Sequence, residues 1–135
     1  MTDAMLVSSG IVLLTVVAIA WGGRFLQRVV TARVETNELQ RSYFRAGHAH
    51  AGVLVILGLL VRVLLTFGDV PEWSEALSSG VLYAAILMPA GFFLSVIGRD
   101  PQEPNRLAWL IPIGGLSLVV GVAAAGTGLI IAGTS

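Results

Sequence analysis

The sequence contains no cysteine and no lysine, and it carries little charge of either sign. The lack of cysteine excludes disulfides, iron–sulfur clusters and thiolate metal sites. Charged residues make up 12% of the 135 residues and hydrophobic residues 56%, whereas soluble domains are about 25% charged. A soluble protein of this composition would lack the polar surface to cover its core, so we expect the excess apolar surface to face lipid. The net charge of zero argues against a nucleic-acid partner.

Four apolar runs are long enough to cross a bilayer as helices, which takes about 20 residues each. The first covers residues 5–21 and is expected to continue as a helix over residues 5–30, and the others cover residues 44–67, 76–98 and 107–132. Continuous apolar runs do not fit a transmembrane barrel, whose strands alternate between apolar and polar residues. Asp3 stands where a signal peptide would be positively charged, so the first run is expected to be a retained span. The sequence therefore predicts an all-α, polytopic membrane protein, a four-transmembrane-helix bundle that forms a single domain over residues 1–135.

The arginines are unevenly distributed among the connections between these runs. The third connection holds Arg99 and Arg106, whereas the second, residues 68–75, has three acids and no base. The first connection holds five arginines: Arg24, Arg28, Arg33, Arg41 and Arg45. Because arginine-rich loops stay on the cytoplasmic side, we expect the first and third connections in the cytoplasm and both termini outside.

An amphipathic segment, residues 22–42, joins the first run to the second. Three structures fit it: a cytoplasmic extension of the first helix, a helix lying on the inner leaflet, or an ordinary arginine-rich loop. The sequence does not decide among them.

The fourth run carries a stripe of small residues at spacings of three and four, which lets helices approach closely in lipid. Its members are Gly114, Ser117, Gly121, Ala124, Ala125, Gly128 and Ala132. The stripe fits packing within the chain as well as assembly between chains. The predicted partners are therefore the lipid bilayer and either a second copy of this chain, in a homo-oligomer, or other subunits of a membrane complex.

Both histidines, His48 and His50, lie where the arginine-rich segment becomes apolar. Ionisable groups this close to the hydrocarbon are by default functional candidates. Each residue turns a helix by about 100°, so the two histidines point to nearly opposite sides. Helical zinc motifs place histidines at i and i+4 instead. We therefore expect any site to form between helices or subunits, with each histidine addressing a different surface.

Other polar groups are predicted at the same end of the bundle. Together with the histidines they form a candidate cofactor-binding set: Arg45, His48, His50, Glu103, Asn105 and Arg106. Within it, His48 and His50 are the candidate metal ligands, and haem or a divalent metal is the candidate cofactor. Arg45 would orient or neutralise an anionic group, with Glu103 and Asn105 as outer partners.

The same residues could instead have a purely structural role. Arg45 and Arg106 could pair with Asp100 and Glu103 and so tie the loops together, while the histidines bond backbone carbonyls.

The leading functional prediction is a small integral membrane protein that binds a metal, haem or small ligand through the His-x-His motif near the cytoplasmic face. Bis-histidine haem ligation would need a second subunit, because both histidines are on one helix, and Met88 is a candidate axial thioether. The alternatives are a structural accessory subunit of a larger respiratory or transport complex, a transport pathway formed by a dimer, and an enzyme that uses an anionic cosubstrate such as glutathione.

Two family resemblances extend these predictions. Residues 44–54, 88–95 and 103–106 resemble a group of small, mostly uncharacterised four-helix membrane proteins from actinobacteria. This resemblance implies the fold and a multi-pass location in the bacterial inner (plasma) membrane, with no established activity. Residues 45–50, Arg-Ala-Gly-His-Ala-His, are similar to the Arg-Ala-His-x-Asn pattern of the MAPEG family of membrane glutathione-dependent enzymes, which are trimers. Only Arg45 and His48 correspond, since Gly47 is inserted and His50 replaces the asparagine.

Overall fold

The computed structural model describes residues 3–135. Its helices are α1 (Asp3–Val30), α2 (Glu38–Leu65), α3 (Glu72–Ser78), α4 (Gly80–Leu94) and α5 (Leu110–Thr134), with a 3-10 helix at Arg106–Trp109. Only Ser79 separates α3 from α4, so the two form one span, called here the third span. Residues 3–135 thus contain four helical spans long and apolar enough to cross a membrane. This confirms the predicted all-α, four-span membrane fold.

The second helix begins at Glu38, not at residue 44 as the apolar run predicts. The Asn37 side chain accepts from the Gln40 backbone N–H at 2.8 Å, and the Gln40 side chain accepts from the Asn37 N–H at 3.2 Å. This reciprocal capping box satisfies two N–H groups that a helix start otherwise leaves unpaired. The amphipathic segment, residues 22–42, is therefore divided among three elements. Its first part extends α1 to Val30, residues 31–37 form the connection, and its last part belongs to α2.

The third span also differs from its predicted bounds, because it covers Glu72–Leu94 and not residues 76–98. Beyond Leu94 the chain turns, with Gly98 at a φ of 138°, a conformation that glycine adopts readily. The backbone N–H of Asn105 donates to the Ser95 carbonyl at 2.8 Å and closes this loop.

The two arginine-rich loops meet at one end of the bundle, called here the arginine-rich end. The Asn37 amide donates to Asp100 Oδ1 at 2.9 Å, and the buried Gln40 amide donates to the Val96 carbonyl at 3.0 Å. The capping residues of α2 therefore also fasten it to the loop after α4.

The described parts of both termini lie at the opposite end, beside the acidic loop. Arg62 near the end of α2 donates to the Ser8 hydroxyl of α1. A methyl group on Gly68, in the loop after α2, would lie 3.2 Å from the Ala132 side chain near the end of α5. Residues near both ends of the chain thus share one end of the bundle with the acidic loop.

The closest helix contacts join the third span to α5. A Cβ on Gly121 would lie 2.7 Å from the Val81 backbone nitrogen, and the Ser117 hydroxyl donates to the Gly80 carbonyl at 2.8 Å. Much of the predicted small-residue stripe is buried in this interface: Gly114, Gly121, Ala124, Ala125 and Gly128. The stripe is therefore used for packing within the chain.

Helix α1 is peripheral by comparison. It packs along α2, and within Asp3–Val30 only Val29 is buried. In the most apolar stretch of 18 residues in α1, no residue is buried. In the most apolar stretch of 18 residues in the third span, 33% of the residues are buried. Phe25 meets Phe44 edge-on, with ring centroids 5.7 Å apart, at the arginine-rich end. Together with the Arg62 contact at the acidic end, this fastens α1 to α2 at both ends.

Candidate functional site

A groove of about 410 Å³ runs between α1, α2 and α4, where α1 stands away from α4. Its lining is almost entirely hydrocarbon. The lining includes Ile11, Thr15, Ala18 and Gly22 from α1, His48, Ala51 and Val55 from α2, and Leu82, Ala85 and Phe93 from α4. Small side chains on all three helices leave the space open. The volume falls in the usual range for small-molecule sites, about 300–1,000 Å³.

His48 lies in this lining at the arginine-rich end, with its ring against α1. A Cβ on Gly23 would lie 3.4 Å from its Nε2, and one on Gly22 would lie 3.7 Å from its Nδ1. The two glycines therefore make room for the imidazole ring. His48 is half-buried and makes no hydrogen bond to any of residues 3–135.

The unpaired imidazole nitrogens of His48 remain reachable. Within residues 3–135, every fully buried side-chain nitrogen or oxygen has a hydrogen-bond partner. The His48 nitrogens have none, so they are not fully buried. The other polar side chain of the groove, Thr15, is satisfied by the Val12 carbonyl at 2.6 Å. His48 is thus the polar side chain of the lining that has no hydrogen-bond partner among residues 3–135.

His50 faces a different helix, as its spacing from His48 predicts. Its ring stacks on Phe92 of α4, with centroids 5.0 Å apart. Its Nδ1 lies 2.7 Å from the Ala46 carbonyl, and since a carbonyl only accepts, Nδ1 is the donor. His50 is therefore engaged in helix packing and does not line the groove.

The remaining predicted site residues lie outside the groove. Arg45 is exposed in a cleft it shares with Glu38 and Arg41, and Glu103 and Arg106 are exposed in and beyond the loop after α4.

Asn105 caps the 3-10 helix. Its Oδ1 accepts from the Leu107 N–H at 2.8 Å, and its amide donates to the Leu94 carbonyl at 2.9 Å. The loops are tied together, but by the amides of Asn37 and Gln40, and not by ion pairs of Arg45 or Arg106 within residues 3–135.

A metal centre finds little support in this arrangement. Among residues 3–135, no group of three or more histidine, aspartate or glutamate side chains converges to hold a metal ion. His48 and His50 contact different helices, and Met88 packs against Gly114 of α5. Metal or haem binding through the two histidines stays a prediction, and because they face different helices, the two do not reach one ion in this arrangement.

Sequence reasoning missed the elements that build the groove. Gly22 and Gly23 signal a close approach, and their pairing with a histidine near the start of the next span could have suggested the contact. Ser8, Ser9 and Arg62 carried no comparable signal, because an arginine near a helix end also fits simple snorkelling to the interface.

Comparison of the chain with protein-family models, with curated proteins and with solved structures finds no match. The resemblances to the actinobacterial four-helix proteins and to the MAPEG family therefore stay predictions. What remains to indicate a function is the geometry of the groove.

Proposed function

We propose that this chain is an integral membrane protein that binds a lipid-soluble small molecule in the groove, with His48 as its polar contact. The observation that carries the proposal is the unpaired, half-buried imidazole of His48 in an otherwise apolar cavity. Ligand sites typically combine an apolar lining with a few polar groups that fix orientation. The ligand class is an amphiphile, with one group that hydrogen-bonds to imidazole and an apolar body lying along α1.

The position of the groove supports entry of the ligand from the bilayer. Both α1 and α4 present exposed large side chains beside it, such as Leu14 at 70% and Ile86 at 66% exposed. In a membrane these surfaces contact lipid, so a molecule dissolved in the hydrocarbon reaches the groove without crossing water.

The proposed ligand is still a small molecule, as the sequence predicts, but its site is the groove beside His48 and not a site shared by both histidines. The bound molecule contacts His48, while His50 and Asn105 support the surrounding structure. The accessory-subunit, transport and glutathione-enzyme interpretations stay predictions, since no contact among residues 3–135 favours one of them.

We also infer that the arginine-rich end faces the cytoplasm of a bacterial cell, with both termini outside the inner membrane. Seven of the eight arginines lie near that end, and Arg62 alone lies near the other. The positive-inside rule supports this orientation. A cytoplasmic location of residues 68–75 in a cysteine-accessibility assay would contradict it.

The groove is tested with a defined probe, a long-chain alcohol that carries a photoreactive diazirine in its alkyl chain. The full chain in lipid nanodiscs is illuminated with the probe and digested, and labelled peptides are identified by mass spectrometry. We expect labelling within residues 11–22, 48–55 and 82–93, which line the groove. His48→Phe keeps a ring but loses the hydrogen bond, and it should reduce labelling about fivefold, since one hydrogen bond contributes about 1 kcal/mol.

His50→Phe is the matched control, because it makes the same change two residues away on a surface outside the groove. It should leave labelling of the groove within about twofold. Equal labelling in the wild type and His48→Phe, or labelling spread evenly along α5, would contradict the proposed site.

A further inference from the structure

A second polar feature lies on another side of α1, at its arginine-rich end. A cleft of about 680 Å³ is lined by Gly23, Arg24, Gln27, Arg28 and Arg33, and is called here the arginine cleft. Positions 22 and 24 are about 200° apart around a helix, so the arginine cleft and the groove lie on different sides of α1. Binding in the arginine cleft would therefore be independent of binding in the groove.

Local backbone structure brings the arginines of the cleft together. Arg24 and Arg28 are one turn apart on α1, which ends at Val30. Ala32 then adopts a φ of 56°, in the left-handed region that reverses the chain. The Arg33 N–H consequently donates to the Arg28 carbonyl at 2.9 Å, which folds the third arginine back beside the helix end.

The charge of this cleft is uncompensated, unlike that of three other polar clefts. Arg45 shares its cleft with Glu38, Arg99 lies with Asp100, and Arg62 lies with Glu72. Among the described residues that line the arginine cleft there is no carboxylate. Within residues 3–135 its three arginine side chains also make no hydrogen bond or ion pair. Three clustered guanidinium groups without a counterion favour binding of an anion.

The depth of the cleft indicates which anion it meets. Helix α1 has 28 residues, a length of about 42 Å, against about 30 Å for the hydrocarbon core. Trp21 is 65% exposed, and exposed tryptophan prefers the headgroup region. We therefore expect the arginines that follow it at the level of lipid phosphates.

We propose that the arginine cleft binds the phosphate of an anionic lipid headgroup. Guanidinium groups bind phosphate oxygens through paired, charge-assisted hydrogen bonds, and Arg24, Arg28 and Arg33 supply several such donors around one cavity. The Gln27 amide adds an uncharged donor to the same lining. The lipid would anchor the end of α1, the span with the least contact to the rest of the bundle.

The test compares a lipid whose headgroup is anionic with one whose headgroup is zwitterionic. The full chain in detergent is titrated with phosphatidylglycerol or with phosphatidylcholine of the same acyl chains, and bound lipid is counted by native mass spectrometry. We expect wild type to prefer phosphatidylglycerol. The triple variant Arg24→Gln, Arg28→Gln, Arg33→Gln should lower that affinity by at least about 30-fold, since each arginine near lipid phosphate contributes roughly fivefold.

A matched control removes three arginines from clefts at the same end that also contain carboxylates: Arg41→Gln, Arg45→Gln, Arg99→Gln. It should change phosphatidylglycerol affinity by no more than about threefold. An equal loss in both triple variants overturns the proposal, because it would mean diffuse attraction to the arginine-rich end. No preference between the two lipids also overturns it.

Two further arms complete the design. Displacement of phosphatidylglycerol by an equal concentration of inorganic phosphate would identify a soluble anion as the ligand and overturn the lipid assignment. Retention of the lipid under that challenge supports it. Labelling of the groove by the diazirine alcohol should be unchanged in the arginine-cleft variant, so the two sites can fail separately.

Discussion

The interface between the third span and α5 and the interface between α1 and α2 both join largely apolar helices, yet they pack differently. On the α5 side, glycines let backbones meet, and a Cβ on Gly80 would lie 2.6 Å from the Ser117 carbonyl oxygen. On the α1 side, the glycines meet a side chain, since a Cβ on Gly23 would lie 3.3 Å from His48 Cε1. Because lipid removes the hydrophobic drive for helices to associate, the shape of the facing surfaces decides how closely they pack.

The cavity lies on the α1 side, where the packing is looser. The glycines of α1 that do face a neighbour, Gly22 and Gly23, receive the imidazole of His48 and not a helix backbone. Helix α1 is thereby fastened near its ends, and the space between these contacts becomes the groove. The tightly packed half of the bundle provides a rigid wall for it.

The largest effect is expected from disturbing the tight interface. Gly121→Ala places a methyl group 2.7 Å from the Val81 backbone nitrogen, which cannot move without shifting α4. We expect the free energy of unfolding to fall by about 3 kcal/mol, as for overpacking in a close-packed core. Unfolding in mixed micelles with increasing denaturing detergent measures it.

Gly126→Ala is the control on the same helix, because no atom of residues 3–135 outside its local helix lies within 4 Å of the new methyl group. It should not lower the unfolding free energy, because alanine is favoured over glycine in a helix by about 0.5–1 kcal/mol. A loss in Gly126→Ala as large as that in Gly121→Ala would show that the loss does not come from the close contact with Val81.

A smaller effect is expected from releasing α1 at the acidic end. Arg62→Leu removes hydrogen bonds to the Ser8 and Ser9 hydroxyls, the second at 3.2 Å. Since hydrogen bonds to a charged group contribute about 1.5–3 kcal/mol, we expect a loss of about 2 kcal/mol. A spin-label distance between α1 and α2 at that end should also broaden.

Arg45→Leu is the matched control, because this arginine is exposed and makes no hydrogen bond within residues 3–135. An unchanged distance distribution in Arg62→Leu would mean that α1 is held by other contacts.

The smallest effect on stability is expected from filling the groove. Ala85→Leu adds three carbons to the wall on α4, where there is space. We expect the unfolding free energy to change by less than about 0.5 kcal/mol, while labelling by the diazirine alcohol falls several-fold because the ligand's volume is taken.

Ala123→Leu makes the same change on an exposed face of α5 and should leave both quantities unaltered. A large loss of stability in Ala85→Leu would mean that the groove is closed in the membrane.

The start of α2 could be predicted in part from the sequence. Asn37 followed by Gln40 is a helix-start pattern, but the apolar run that marks the second span begins later, near Phe44. Apolarity does not report where a helix begins, so the sequence leaves the first turn of α2 within the undecided segment, residues 22–42.

For the two histidines, the sequence predicted their relative direction but not their neighbours. Their spacing predicts that they serve different surfaces, and His48 does contact α1 while His50 stacks on Phe92. Which helix each one meets depends on the order in which the spans pack, and no local pattern encodes that order.

By itself the sequence determined four membrane-spanning helices and the concentration of arginine at one end, because apolarity and charge are local properties of each segment. Only the tertiary structure decided that the small-residue stripe of α5 packs inside the chain, that α1 stands aside, and that His48 borders a groove. These features depend on how surfaces far apart in the sequence fit together, and a difference of one methyl group is enough to change that fit.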